Sequence, residues 1–508
     1  MIGQILASLF APGTLGLIFI GVVLGIIFGA IPGLSASTGI ALMLPLTFVL
    51  SPTSALAFLG GLFVGGYSGG LISAILIGVP GTPASVATVY DGYPLTRKGQ
   101  ATRALSVGII CSALSTFLSV LVAMLFCPPL ARIAVNFGPW EQFSLCFTAI
   151  ILVVTISKGN MFNGLISAFL GMLFATVGSA PLDGAMRFTF GNYSLYGGIN
   201  VLAVMMGIFA MTSLVGNFAR DDMDCPEVDT KGIKGFGVTL ADMAKHAVLY
   251  LKSFFIGLWI GFLPGMGGGL SNIVAYVQAK SSSKTPEEFG KGCIEGVIAS
   301  ESANNASVGG AIIPMIALGI PGDACTAMLL SGLMIQGIEA GPLLMTNSKA
   351  LVYAFFLSLL LSTVITFLLQ FFGMRSFPYI LRIPTHYLYA AIFAICYIGV
   401  YSNSMSLFTC LLMIGFCVIG FILAMGDMSS APFILGFILG PMLETNLRKG
   451  LTYTTQGFLP FITRPVSGVL LLVAVCSLFW PFIRDRRAAK KAGKTVAEVQ
   501  MEDAKNND

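Results

Sequence analysis

Long apolar runs, each closed by a short polar or Gly/Pro-rich stretch, follow one another from residue 14 to residue 482. A membrane span needs roughly 20 apolar residues, and runs of that kind cover 14–31, 55–79, 104–126, 142–157, 162–180, 197–218, 246–263, 350–373, 386–425 and 466–482. Shorter or interrupted runs at 34–50, 268–279, 295–320, 324–337 and 430–443 predict hairpins or discontinuous helices. The pattern predicts an all-α polytopic membrane protein with on the order of 12 to 16 membrane segments, half-helices included. No cleavable leader is expected, because the first apolar run has no basic stretch ahead of it.

The polar interruptions repeat. Gly25, Gly29, Pro32 and Gly33 return with the same spacing as Gly257, Gly261, Pro264 and Gly265. Further on, Gly69, Gly78, Pro80 and Gly81 return as Gly310, Gly319, Pro321 and Gly322, after a polar insert around Lys280 to Glu288 that the first copy lacks. Paired Gly/Pro interruptions at matching places in two halves are the sequence mark of a secondary-transporter binding site. The organisation read from this is a first membrane half at 1–216, a polar linker at 217–245, a second half at 246–483 and a cytoplasmic basic tail at 484–508.

Composition agrees with the class and adds little more. Hydrophobic residues make up 56% and charged residues 10%, with mean hydropathy +0.90, where soluble domains carry roughly a quarter charged residues. The net charge of +5 is small and gives no reason to expect nucleic acid; the surroundings are membrane lipid.

Where the charges fall matters more. The tail from Arg484 to Lys494 follows the last span directly, which places it in the cytoplasm by the positive-inside rule. Two short loops are basic as well, one with Arg97, Lys98 and Arg103, the other with Lys280, Lys284 and Lys291. Their repeat equivalents, at 338–345 and 49–57, carry no basic residue. Parallel repeats would put equivalent loops on one side, so the alternation predicts two inverted repeats, a plan compatible with an elevator-like transporter.

Ten cysteines lie mostly inside apolar runs without a CxxC pair, and His246 and His386 have no second ligand at a metal spacing. Neither a zinc site nor a disulfide framework is suggested. A phosphate-binding Gly loop and a nucleophile elbow are also missing from the sequence, so energy must come from an ion gradient or a partner.

The chemistry concentrates at the breaks, which free backbone N–H and C=O groups that lipid cannot satisfy. A half-helix restarting at Pro32, Gly33, Leu34 and Ser35, or at Pro264, Gly265, Gly267 and Gly268 with Ser271 and Asn272, would point N–H groups and a positive dipole end at an anion. Close packing of small residues is the competing reading, and Gly21, Gly25 and Gly29 would satisfy it alone. The second breaks, Pro80, Gly81 and Thr82 and their copies Pro321 and Gly322, follow the same logic, with Ser68 and Gly69 upstream. Asp323 beside the last break is either a functional carboxylate or a helix cap. Asn304 and Asn305, with Asp323, form the expected cation site: hard oxygen ligands suit sodium, whereas a proton relay would use Asp323 or Glu301. No other cofactor is expected.

The residues that carry these breaks, GAIPGL, GGYSGGLISAILIGVPGTPASVATVYDGYPLTRKGQA, GFLPGMGGGLSN and ESANNASVGGAIIPMIALGIPGDACTAMLLSGLMIQGIEAGP, resemble the large membrane subunit of the tripartite tricarboxylate transporters over about 15–440. The resemblance implies a small four-span membrane subunit, a periplasmic solute-binding protein, a carboxylate substrate such as citrate, and a sodium or proton gradient as driving force. It places the chain in a bacterial inner membrane and reads Asp91-Gly92-Tyr93-Pro94 as a cytoplasmic turn. A homodimer of the large subunit stays open. The alternatives are a stand-alone organic-anion exchanger or channel, and an intramembrane enzyme, which would be expected to cluster His, Asp or Cys near the interface.

Overall fold

The computed structural model describes residues 3, 8–32, 34–156, 161–212, 215, 237–238, 244–380 and 385–492. The first repeat gives α1 (Pro12–Ala30), α2 (Ala36–Met43), α3 (Pro52–Leu76), α4 (Val86–Arg97) and α5 (Ala101–Ala134). Next come α6 (Pro139–Ile156), α7 (Met161–Ala175) and a two-stranded antiparallel ribbon of Gly178–Ser179 and Met186–Arg187. The second repeat gives α8 (Ala247–Phe262), α9 (Gly267–Ser282), α10 (Ile294–Leu318), α11 (Ala324–Ile335) and α12 (Lys349–Gly373). The chain finishes with α13 (Thr385–Ser404), α14 (Leu407–Met425), α15 (Ser430–Thr452) and α16 (Pro465–Ala492). Five helices among the described residues are long and apolar enough to cross a membrane, and further apolar helices are shorter. Lipid-sized apolar side chains such as Leu125, Trp259 and Phe372 stand exposed on them.

The breaks fall where the backbone demands them. Pro32 has no N–H to donate and its ring would strike the carbonyl one turn back, so α1 stops, and Ile31 adopts the extended conformation required before proline. Leu263 does the same before Pro264 at the end of α8. Gly78 (φ 71°) and Gly319 (φ 74°) close α3 and α10 in the left-handed region, where a side chain is strained.

The first glycines of the repeated motif belong to packing. A Cβ on Gly21, Gly25 or Gly29 would strike the backbone of Phe58, Leu62 and Gly66, and one on Gly61, Gly65 or Gly69 would lie 2.8, 2.5 or 2.6 Å from the carbonyl oxygens of Ile18, Val22 and Ile26. Helices α1 and α3 therefore touch backbone to backbone. Gly257 and Gly261 repeat this against Ala303 and Ser307 of α10. Gly69, expected near the substrate, is thus committed to helix packing.

The repeats exchange partners and run in opposite directions. Helix α3 packs on α12 and α11, while α10 packs on α5 and α4. At one end, Thr96 Oγ1 donates to Ile75 O, near the end of α3, at 2.7 Å, and Lys98 Nζ donates to Lys291 O, just before α10, at 2.6 Å. At the other, Gln336 Nε2 donates to Thr47 O, just before α3, at 2.6 Å, and Leu56 lines a small cavity with Met315 and Ile316 near the end of α10. The start of α3 therefore lies by the end of α10 and the reverse, which makes them antiparallel. The two basic loops meet at one end, as the charge alternation requires. With 25 residues, α3 spans about 37 Å. In a background with the exposed Cys476 replaced, single cysteines at Thr53 and Lys284 are expected to label from opposite faces of the membrane; labelling from one face would contradict this arrangement.

Three local expectations change. Residues 295–320, read as broken, form the continuous 25-residue α10, with the polar cluster from Glu301 to Ser307 inside it. The run at 386–425 divides into α13 and α14. Asp91 to Pro94 continue α4, and the turn follows at Lys98 and Gly99 (φ 75°). The chain also groups into two compact units that draw on both halves: 1–136 with 199–425, which holds both repeats, and 137–198 with 426–508. In the second unit Arg187 grips Glu444 at 2.8 and 3.1 Å and Arg448 reaches Asp183 at 2.6 Å. Of the linker at 217–245, only 237–238 and 244–245 are described, and the tail beyond 492 lies outside the described residues.

Candidate functional site

In each repeat the second break sits on the end of that repeat's first helix. A Cβ on Gly81 would strike the carbonyl oxygen of Gly29 and lie 2.6 Å from Ser73 Oγ, and one on Gly322 would lie 2.8 Å from Gly261 O and 2.6 Å from Ala311 Cα. Gly265 N donates to Gly322 O at 2.7 Å, which joins the two breaks of the second repeat. That pair then meets the first repeat. Asn272 Nδ2 reaches Pro83 O at 3.5 Å, and a Cβ on Gly268 would lie 2.7 Å from Asn304 Oδ1, 2.8 Å from Tyr67 Cε1 and 2.9 Å from Ala84 Cβ.

Asp323 closes the junction. Its Oδ1 accepts from Thr326 N at 2.7 Å while Asp323 N donates to Thr326 Oγ1 at 2.8 Å, so it caps α11 in a reciprocal capping box. Its Oδ2 accepts the hydroxyl of Tyr67. Of the two roles foreseen for Asp323, the cap is the one its bonds describe. The first repeat has Thr82 and Ser85 at the equivalent positions, with Thr82 N donating to Ser85 Oγ at 3.2 Å.

Several buried polar atoms at this junction have no hydrogen-bond partner among the described residues: both amide atoms of Asn304, Asn272 Oδ1, Thr82 Oγ1 and Ser73 Oγ. Leaving one such group unmatched costs about 1–3 kcal/mol, and native interiors keep few of them. Grouped beside the breaks, they form a neutral set of donors and acceptors. Asn304, fully buried in α10, contributes the only complete amide of that set.

The other sequence-derived candidates divide. Ser35 caps α2, accepting from Thr38 N at 3.2 Å, and shares hydrogen bonds with Ser37 and Thr38 at 2.8 and 2.9 Å. Pro32, Leu34, Pro80 and Pro321 shape the breaks, Ser68 is buried in α3, and Gly33 lies outside the described residues. Ser271 spends its hydroxyl on Gly268 O and Ala303 O at 3.1 and 3.2 Å, so it packs α9 on α10. Asn305 points away from Asn304: it takes Thr116 Oγ1 on its oxygen at 3.2 Å and gives its amide to Ser112 Oγ at 2.9 Å. The oxygens of Asn305 and Asp323 already accept from protein donors, whereas that of Asn304 has no hydrogen-bond partner among the described residues. No cluster of three or more His, Cys, Asp or Glu suited to a metal occurs among the described residues.

The hydroxyls of α5 escaped sequence reading. Ser112, Thr116 and Ser119 recur at helical spacing on the face against α10, and Ser115 beside them donates to Tyr250 of α8. That stripe, inside an otherwise apolar run, was the available signal.

Gly268 offers a direct test of the junction. Gly268→Ala puts a methyl among Asn304, Tyr67 and Ala84, whereas Gly269→Ala meets only Pro83, at 3.8 Å. Substrate uptake is expected to collapse in the first variant and survive in the second, with both proteins present in the membrane. Equal uptake by the two would show that the junction only packs.

The Tripartite tricarboxylate transporter TctA family profile matches residues 15–435. An "uncharacterized 52.8 kDa protein in TAR-I ttuC' 3'region" of Agrobacterium vitis is 33% identical over 472 residues, covering 92% of this chain and 94% of that protein. An "uncharacterized protein in TAR-II ttuC' 3'region" of the same species is 35% identical over 234 residues, covering 46% of this chain and 97% of that protein. No solved structure matches.

Proposed function

The chain belongs to the TctA family of large subunits of tripartite tricarboxylate transporters, and from that premise we propose that it imports a di- or tricarboxylate, such as citrate, across a bacterial inner membrane, driven by a sodium or proton gradient. Its partners in this reading are a small four-span membrane subunit and a periplasmic solute-binding protein that delivers substrate. The basic loops around Lys98 and Lys291 face the cytoplasm, together with the C-terminal tail. The family is one of transporters, which points away from an enzyme.

The observation that carries the reading is the unpartnered Asn304 amide at a junction of Pro-Gly breaks from two opposed repeats. A carboxylate is a demanding acceptor, and the amide of Asn304, the hydroxyls of Thr82 and Ser73 and the N–H groups that open α9 are donors of the right kind. Neutral donors hold an anion firmly enough to select it and loosely enough to release it. Arg and Lys would bind harder, and neither occurs from 264 to 272 or from 80 to 85.

Citrate uptake into proteoliposomes bearing the chain and the small subunit, with and without the binding protein, tests the proposal. Uptake that requires the binding protein supports it. Full uptake without it would favour the stand-alone exchanger or channel. Imposing a sodium gradient or a pH gradient alone separates the two coupling ions, and sodium dependence would bring the free oxygen of Asn304 forward as a ligand.

A further inference from the structure

Glu301 is a fully buried carboxylate in the middle of α10, and it forms no ion pair among the described residues. All of its partners are neutral. Oε1 accepts from Thr88 Oγ1 at 2.6 Å, and Oε2 accepts from Ser112 Oγ at 2.9 Å and Asn305 Nδ2 at 3.3 Å. A permanently charged carboxylate in such a place is expensive without a cation. A permanently neutral acid would not need three donors. The surroundings suit both forms.

The hydroxyl of Thr88 makes this explicit. It has one hydrogen and two acceptors in reach, Glu301 Oε1 at 2.6 Å and Ser300 Oγ at 3.0 Å, while Ser300 itself donates to Val297 O at 3.2 Å. When Glu301 is ionised, Thr88 donates to it. When a proton adds to Oε1, the new O–H donates to Thr88 Oγ1, and the Thr88 hydrogen turns to Ser300. No group loses its partner in either state; hydronium gives the proton to Oε1 and water takes it back, so one O–H bond breaks for each one formed.

We propose that Glu301 takes up and releases a proton during the transport cycle, with Thr88 as the hydroxyl that reports its state to α4. This rests on the carboxylate-uptake reading and names the residue through which a pH gradient would act. The connection to the candidate site is short. Asn304 lies one turn beyond Glu301 on α10, and Thr88 lies one turn beyond Ala84, the residue that meets Gly268 at the junction. A change at Glu301 therefore acts on both walls of that junction.

The titratable groups turned toward α10 from the elements packed on it are Cys111 and Cys127 on α5, Asp91 and Tyr90 on α4, Tyr67 on α3, Tyr250 on α8, Tyr276 on α9 and Asp323 ahead of α11. Of the basic side chains near its start, His246 Nδ1 lies 3.7 Å from Glu295 Oε1 and Lys98 donates to Lys291 O. None of these neutralises Glu301.

The test uses the full chain in nanodiscs and a pH-difference infrared spectrum of the protonated-carboxyl band. Wild type is expected to show a band that Glu301→Gln removes and Asp91→Asn leaves in place; a spectrum that Glu301→Gln does not change overturns the proposal. If Glu301→Gln fails to fold, Thr88→Val replaces it: a displaced titration of the band supports the assignment, and an undisplaced one overturns it. In proteoliposomes with both partners, Glu301→Gln is expected to keep citrate-for-citrate exchange and lose accumulation driven by a pH gradient. Retention of both would also overturn the proposal. A wild type that moves no citrate would sink the carboxylate reading instead, while the infrared result still decides the role of Glu301.

Discussion

Asn304→Leu is expected to yield a transporter that is more stable than wild type and inactive. Both amide atoms of Asn304 are buried without a partner, and each unsatisfied group costs about 1–3 kcal/mol. Leucine has a similar volume and removes that cost, so the midpoint of thermal unfolding should rise, provided the side chain clears Tyr67 and the Gly268 backbone. Uptake should fall to background because the donor set loses its one free amide. This trade of stability for function marks a binding group. A variant that keeps citrate uptake would show that Asn304 is merely tolerated, and one that loses both stability and uptake would show an unseen structural bond. Asn305→Leu makes the contrast: it breaks the bonds to Thr116, Ser112 and Glu301 and should lose stability along with activity.

The second large effect is expected at Asp91. Its side chain is fully buried, and Oδ1 gathers the N–H groups of Gly290, Gly292 and Cys293 at 2.9, 2.8 and 2.8 Å, while Oδ2 accepts from Tyr276 at 2.9 Å. One carboxylate thus pins the loop between α9 and α10 to α4. In Asp91→Ala water can reach Gly290, which is exposed, but Cys293 N–H and the Tyr276 hydroxyl are left buried, at about 1–3 kcal/mol each. Set against a total stability of roughly 5–15 kcal/mol for a domain, the loss should show as a clearly lowered unfolding midpoint and reduced abundance. Asp91→Asn retains one acceptor oxygen and should fall between. If Asp91→Ala unfolds at the wild-type temperature, the loop is held by other means.

The sequence alone reveals whatever depends on local chemistry. Pro32 and Pro264 stand where α1 and α8 stop, and Pro80 and Pro321 follow the left-handed Gly78 and Gly319 that close α3 and α10, whereas Pro128, Pro129 and Pro314 stay inside helices; it is proline joined to glycine, repeated in both halves, that made the breaks legible. The repeat and the alternation of basic loops gave the opposed halves, since charge and order are properties of the chain. Local pattern failed where a polar stretch found its partner on another helix. Glu301 to Ser307 look like an interruption of the apolar run, yet they continue α10 because Thr88, Ser112, Thr116 and Ser119 meet them from the first repeat.

The same distinction separates the members of the candidate site. The sequence by itself determined that the breaks are neutral, rich in hydroxyls and amides, and paired across two halves. Only the tertiary structure decided which of those groups are spent. Asn304 and Asn305 are adjacent and alike in chemistry, but successive helix residues point about 100° apart: one meets hydroxyls of α5 and is satisfied, and the other meets the Gly268 backbone and is left free. Ser271, Gly69 and Asp323 are likewise committed to packing or capping by neighbours far away in the chain. A free donor is a property of the space around a residue, and that space is assembled from both repeats.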